Sequence, residues 1–344
     1  MHSQRALLLA ATAATALALT SCASESSSPS GEGDAESAQG AGDTITIEHA
    51  LGTTVIPSGA ERVAAIGWGN HDAALALGVA PVGVDDQTWS MDGSDGLGIY
   101  EWSIDAYAEL GADEPVIFDT TDGVDFEAIA DTAPDLIIAA QSGLTDEDYA
   151  TLSEIAPVVA HPDIPWYTPW RETIRVDGTA LGLADEADQL VADIEKQIED
   201  ATADASAIEG RTAAFFSFVP SDLSTASIYA EGDSRAAFLN DLGFETPEAA
   251  VVAGEDGSFY ADISAEKVDQ LSDVDVIVAY GDDSLLETLQ ADPLWSTVPA
   301  VENGAVVAVG AGSPLSGAVS PTALSIPWVL DEYVGLLNDA AAAE

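Results

Sequence analysis

Basic residues are nearly missing from this chain. Eight Lys and Arg stand against 61 Asp and Glu in 344 residues, a formal charge of −53. That field repels polyanions, so nucleic acid and a bare anionic membrane surface are excluded as direct partners. The acidity itself reads as a solvated surface, and it makes each Arg conspicuous. Cysteine occurs once, at Cys22, so no internal disulfide can form. The four His (His2, His49, His71 and His161) are too scattered for the His–carboxylate cluster that holds a bare zinc or manganese ion, and no metal site is expected. No Gly-rich phosphate loop with Lys is present. The one long apolar run, from Ala6 to Leu19, has signal-peptide length and is too short for a stable membrane span.

The apolar run leads into an address. Leu19-Thr20-Ser21-Cys22 places small residues before a Cys and resembles the bacterial lipobox. The resemblance implies removal of residues 1–21, lipid on Cys22, and a protein tethered by that lipid to the outer face of the cell membrane. Residues 22–43 are Ser, Gly and acid with almost no apolar content, so they read as a disordered linker.

The chain is nearly half hydrophobic overall, and the remainder is long enough for two cores. It repeats itself. FEAIADTAPDLIIA (126–139) and AEKVDQLSDVDVIVA (265–279) each read as a short amphipathic helix, then a buried strand opened by Asp135 or Asp275. The segment 62–83 likewise echoes 226–247, as strand, Gly-containing turn and helix ending in Leu-Gly. Strands alternating with helices predict an open, mostly parallel sheet with helices on both faces. The expected fold class is α/β: two Rossmann-like lobes joined by one long α-helix, with a ligand cleft between them. The predicted boundaries are 44–168 for the N-terminal lobe, 169–205 for the connecting helix and 206–344 for the C-terminal lobe. In such sheets ligands sit beyond the carboxyl ends of the strands.

The order of motifs resembles the substrate-binding lipoproteins of ABC-type iron-siderophore importers, a group that includes cobalamin and haem carriers. The phrases that carry it run from 44 to 338: ERVAAIGWGNHDAALALGVAPVGV, EAIADTAPDLIIA, LSEIAPVVA, PWRETIRVDGTALG, DISAEKVDQLSDVDVIV, DPLWSTVPAVENGAVVAVG and LSIPWVLDEYVGLL. The resemblance implies a non-enzymatic carrier without a cofactor. It would capture a ferric siderophore, or a related chelate such as cobalamin or haem, and hand it to a permease and its ATPase. A monomer is expected.

A ferric siderophore arrives with its iron already coordinated. The protein then needs aromatic surface for the organic rim and Arg to pair with chelate oxygens. The loop positions offer Trp68, Asn70, Trp89, Trp166, Tyr167, Trp170 and Arg171 from the first lobe, and Tyr229, Arg235 and Tyr260 from the second. Arg171 and Arg235 are expected to enter from opposite walls, although each has acidic neighbours that could claim it. Trp166, Tyr167 and Trp170 could equally seal the connecting helix against the first lobe. Family carriers present one Glu per lobe to their permease, and Glu127 and Glu266 hold matching places in the repeat. The alternative of another class is a surface serine hydrolase. Gly232-Asp233-Ser234 resembles the nucleophile block of lipase-like enzymes, but no His follows residue 161 to serve it.

Overall fold

The structure, a computed structural model, describes residues 44–57, 59–87 and 98–343. Cys22, the linker 22–43 and Trp89 lie outside the described residues. The first lobe opens with an antiparallel hairpin, β1 (Thr44–His49) and β2 (Gly52–Pro57). The chain continues through β3 (Val63–Ala65), α1 (Asn70–Ala76), β4 (Gly83–Asp85), α2 (Glu101–Leu110), β5 (Val116–Phe118), α3 (Phe126–Asp131), β6 (Leu136–Ile138), α4 (Asp146–Leu152) and β7 (Val158–Val159). Strands β3 to β7 form a parallel sheet in the order β5-β4-β3-β6-β7. β3 and β6 are buried along their whole length, as strands covered on both faces must be.

Two helices connect the lobes: α5 (Trp170–Ala180) and α6 (Ala184–Thr202). The single helix expected over 169–205 is therefore broken. Gly182 takes a left-handed φ of 77°, and the amide of Leu183 closes on the Gly178 carbonyl at 2.7 Å. That glycine C-cap ends α5 and turns the chain back. The two helices run antiparallel, since Arg171 pairs with Glu195, Arg175 with Asp188, and Gly178 abuts Ala187. α5 stays with the first lobe, and α6 makes the crossing. At the usual rise its 19 residues span about 28 Å. Its buried stripe, Ala187, Val191, Ile194 and Ile198, joins the core of the second lobe.

The second lobe contains β8 (Ala213–Phe218), β9 (Thr225–Tyr229), α7 (Ser234–Asp241), α8 (Glu248–Ala253), β10 (Tyr260–Ser264), β11 (Val276–Tyr280), α9 (Leu285–Ala291), α10 (Pro299–Glu302), β12 (Val306–Ala308), α11 (Pro314–Ala318) and α12 (Ser325–Ala341). Its sheet order is β10-β9-β8-β11-β12. β8, β11 and β12 are parallel, whereas β9 and β10 run antiparallel to their neighbours. The segment 265–271 is a 3₁₀ helix kinked at Lys267, where the sequence predicts an α-helix.

The repeat has a physical basis at its two aspartates. Asp135, just before β6, accepts the amides of Glu61 and Arg62 at 2.9 Å each, pinning the start of β3. Asp275, just before β11, accepts the amide of Thr212 at 3.0 Å, pinning the start of β8. The structural counterpart of β3 is thus β8. The sequence echo matches β3 instead with β9, which is antiparallel and one place further out.

Side chains pin the lobes together at several points. The buried Asp72 carboxylate accepts from Thr322 Oγ1 (2.5 Å) in the second lobe and from Trp102 Nε1 (2.9 Å) and Ser103 Oγ (2.6 Å) in the first. Trp102 also meets the Trp328 ring at 5.1 Å. Tyr100 lies on Gly317, where a Cβ would stand 2.2 Å from its ring.

Candidate functional site

The carboxyl ends of β3, β4, β5 and β6 enclose a cleft of about 460 Å³. Binding pockets for small molecules fall between about 300 and 1,000 Å³. The floor is the loop Gly67-Trp68, and its conformation is fully specified. Gly67 has φ 84°, and a Cβ there would stand 2.3 Å from the Gln141 carbonyl oxygen. Its amide donates to Asp85 Oδ2 at 2.6 Å, and its carbonyl accepts from Gln87 Nε2 at 3.2 Å. Asn70 is wholly buried behind this loop. Its Nδ2 donates to the carbonyls of Ile66 (2.7 Å) and Gln141 (3.1 Å), and its Oδ1 accepts the Gln141 amide at 3.0 Å. Asn70 therefore braces the floor from beneath and does not line the cleft.

Two indoles line the cleft. Trp68 reaches across to the second lobe, where its Nε1 donates to the Ser320 carbonyl at 3.1 Å. Trp166 stands at the mouth, 42% exposed, with φ 60°. A bulky residue in the left-handed region costs about 1–3 kcal/mol. The surroundings hold it there. Its amide donates to the Ser142 carbonyl at 3.0 Å, and its ring lies so close to Gly143 that a Cβ would stand 2.0 Å from Nε1.

All the residues that line this cleft belong to the first lobe, and Tyr167, Tyr229 and Tyr260, expected at the site, are not among them. Tyr167 packs on Gly232, where a Cβ would stand 2.1 Å from its hydroxyl oxygen. Beyond it lie half-buried Tyr229 and Tyr260, the latter 40% exposed, with ring centroids 6.5 Å apart. Burial raises the hydroxyl pKa of both Tyr167 and Tyr229, so each stays a neutral donor.

The guanidinium groups differ from expectation. Arg171 donates from Nε to Glu195 (2.6 Å) and from Nη1 to both oxygens of Asp241 (2.9 and 2.8 Å). Trp170 is buried and also donates to Asp241, at 2.9 Å. Together they fasten α5 to α7 and take no part in the cleft lining. Arg235 is chelated by Asp233 through Nε (2.8 Å) and Nη2 (2.7 Å), donates to Tyr280 at 3.2 Å and lies 3.9 Å over the Tyr229 ring. Burial opposes its charge, but Asp233 outweighs burial and the pKa ends above the usual value. The physical reason is abundance. With 61 acids in the chain, carboxylates reach the scarce cations first.

Sequence reasoning missed the acidic side of the cleft. Asp85, Asp86 and Asp148 all line it. Burial raises the Asp85 pKa to about 7, with Asp86 adding to the rise and the Gly67 amide opposing it. The motif VGVDDQ marks this place as a strand end, but two Asp among so many carry no signal.

Glu127 and Glu266 are exposed, in the first turn of α3 and of the 265–271 segment respectively. Ser234 lines a separate crevice of about 10 Å³ with no His on its wall. Among the described residues no group of three His, Cys, Asp or Glu is placed to hold a metal ion, and no helix is long and apolar enough to cross a membrane.

Comparison with known proteins bears on the family and the fold. Residues 63–311 match the family described as periplasmic binding protein. The crystal structure of Streptococcus pneumoniae TIGR4 PiaA in complex with ferrichrome is 41% identical, with TM-score 0.83, over 86% of this chain and 98% of that one. Staphylococcus aureus SirA complexed with staphyloferrin B is 25% identical, with TM-score 0.68, over 86% and 99%. A probable siderophore-binding lipoprotein of Bacillus subtilis, YfiY, is 25% identical over 272 residues, 76% of this chain and 78% of that protein.

Proposed function

Because this chain belongs to the periplasmic binding protein family, we propose that it captures a ferric siderophore outside the cell and delivers it to an ABC importer. The observation that carries this reading is Trp166, an aromatic held exposed and strained at the mouth of a preformed cleft. Strain of that kind persists where function needs it. Trp68 and Trp166 supply the apolar faces, and Trp89 an expected further contact. Asn70, Trp170 and Arg171 hold the framework. The iron travels as cargo inside its chelate and needs no ligand from the protein. Lipid on Cys22 would keep the carrier, a monomer in this reading, beside its permease. Glu127 and Glu266, exposed on separate lobes, are the proposed contacts with it.

Titration of intrinsic tryptophan fluorescence with ferric hydroxamate, ferric catecholate, ferric citrate, haem and cobalamin tests the reading. We expect quenching by a ferric siderophore, and its loss of about tenfold or more in affinity in Trp68→Ala, since a buried aromatic contact is commonly worth more than about 1.4 kcal/mol. A response to haem or cobalamin alone would refute the siderophore assignment. Charge reversal at Glu127 and Glu266 should impair uptake by cells while leaving chelate affinity unchanged.

A further inference from the structure

The polar lining of the cleft is one-sided. It presents the carboxyls of Asp85, Asp86 and Asp148, and among the described residues no Lys, Arg or His lines it. The segment 88–97, whose sequence is TWSMDGSDGL, contains no basic residue either. The nearby cations of the connecting helices and the second lobe are engaged elsewhere: Arg171 by Glu195 and Asp241, Arg175 by Asp188, Arg235 by Asp233.

A second observation points to a ligand there. Gln87 and Ser142 also line the cleft, and they are only 3% and 2% exposed. Gln87 spends its amide protons on the carbonyls of Gly67 and Asp85, which leaves Oε1 with no partner. Ser142 Oγ has no partner either. A buried polar atom left unpaired forfeits its hydration, so such atoms are rare unless something else satisfies them. Gln87 Oε1 can only accept. With the carboxylates beside it, this wall suits N–H and O–H donors, and among the described residues it offers anionic oxygens no cation.

We infer that the cleft selects its chelate by charge, favouring a ferric chelate with a protonated amine over its neutral counterpart and rejecting polyanionic ones, with Asp85, Asp86 and Gln87 as the selecting wall. This rests on the siderophore-carrier reading and sharpens it, because relatives named for different siderophores leave the charge class open. An ammonium against Asp85 gains a charge-assisted hydrogen bond in a partly dry site. A polyanion brought to the same wall meets like charge with no counter-ion, which opposes binding.

The probes are ferrioxamine B, a trihydroxamate with one free ammonium and a single positive charge; N-acetyl ferrioxamine B, the same chelate made neutral; and ferric enterobactin, a triply negative catecholate. Affinities are measured by fluorescence quenching at low and at about 1 M salt, where the general field of the acidic surface reaches only about 3 Å. We expect ferrioxamine B to bind about tenfold more tightly than its acetylated form. Most of that ratio should survive high salt, and ferric enterobactin should not bind measurably. In Asp85→Asn the ratio should fall toward unity. In Glu209→Gln, which removes one charge from the exposed surface, it should not change. Equal affinity for the charged and neutral chelates, a ratio abolished by salt alone, or tight binding of ferric enterobactin would each overturn the charge rule while leaving the carrier reading intact. Failure of all three probes while ferric citrate quenches would overturn the charge rule and leave the carrier reading intact, and failure of ferric citrate as well would overturn both. The comparison of the two trihydroxamates on the unmutated protein decides the question even where Asp85→Asn folds poorly.

Discussion

Asp85 costs the protein stability wherever it is ionised. Its carboxyl has a pKa of about 7 in the fold against 3.8 in the free state, chiefly because it is buried. Below pH 3.8 both states hold the proton. Between those values the unfolded chain loses it first, so stability falls as pH rises, and above about pH 7 the penalty is complete. Asn in its place still accepts the Gly67 amide. We expect Asp85→Asn to be more stable than the natural protein at pH 8, by at most about 4 kcal/mol, with the gain vanishing near pH 4. Urea unfolding at the two pH values checks this, and an equal effect at both would refute it. Trp166 gives the same lesson through its backbone. In Trp166→Gly the strained φ becomes free, worth about 1–2 kcal/mol, against about 0.5–1 kcal/mol of added chain entropy and about 1–3 kcal/mol for the lost burial of a ring that is 42% exposed. Stability should therefore fall by less than the lost burial alone, while chelate affinity drops. The two side chains are not equally legible in the sequence. Trp166 is marked by its neighbours Tyr167 and Trp170, but Asp85 is one acid among 61, and only burial distinguishes it.

Among the elements, the α5–α6 hairpin depends on how closely its two helices approach. Gly178 sits in the last turn of α5 where Ala187 crosses, and a Cβ there would stand 2.4 Å from the Cβ of Ala187. Gly178→Ala gains about 1 kcal/mol of helix propensity but forces the helices apart, at about 1–3 kcal/mol. Crowding prevails on those magnitudes, so the variant should unfold at lower urea than the natural protein; a stabilised variant would mean that the hairpin yields easily. In the sequence, Gly178 and Gly182 stand out as the soft points of a helical stretch. A bend and a full reversal look alike there, because the choice is made by the left-handed Gly182 and by ion pairs 13 and 24 residues apart. The repeated Asp135 and Asp275 are legible for the opposite reason. Each acts on backbone amides at a strand start, a local task that leaves the same mark in both copies. The antiparallel β9 is hidden, since strand direction depends on partners distant in sequence.

At the scale of the whole molecule, the two lobes behave as halves pinned at several points. Asp72 to Thr322, Trp68 to Ser320, Trp170 to Asp241, Tyr167 on Gly232 and Tyr100 on Gly317 tie them. A hinge that moved far would break buried hydrogen bonds at about 1–3 kcal/mol each. Spin labels at Asp131→Cys and Asp269→Cys, exposed positions of the two lobes, should therefore report a distance change on chelate binding of no more than about 1–2 Å, typical of preorganised binders. A shift of domain-closure size would refute the pinning. The alternating strands and helices make the two-lobed α/β architecture readable from sequence. The pins are not readable, because each joins residues some 65 to 250 apart whose chemistry is ordinary on its own. The pinning has a further consequence for traffic at the membrane. In the proposed carrier role, a receptor that hardly changes shape would offer a permease nearly the same face whether laden or vacant, so vacant copies would occupy the gate as readily as laden ones. Import should then slow when the receptor greatly outnumbers its cargo, and the cell gains by matching receptor synthesis to supply.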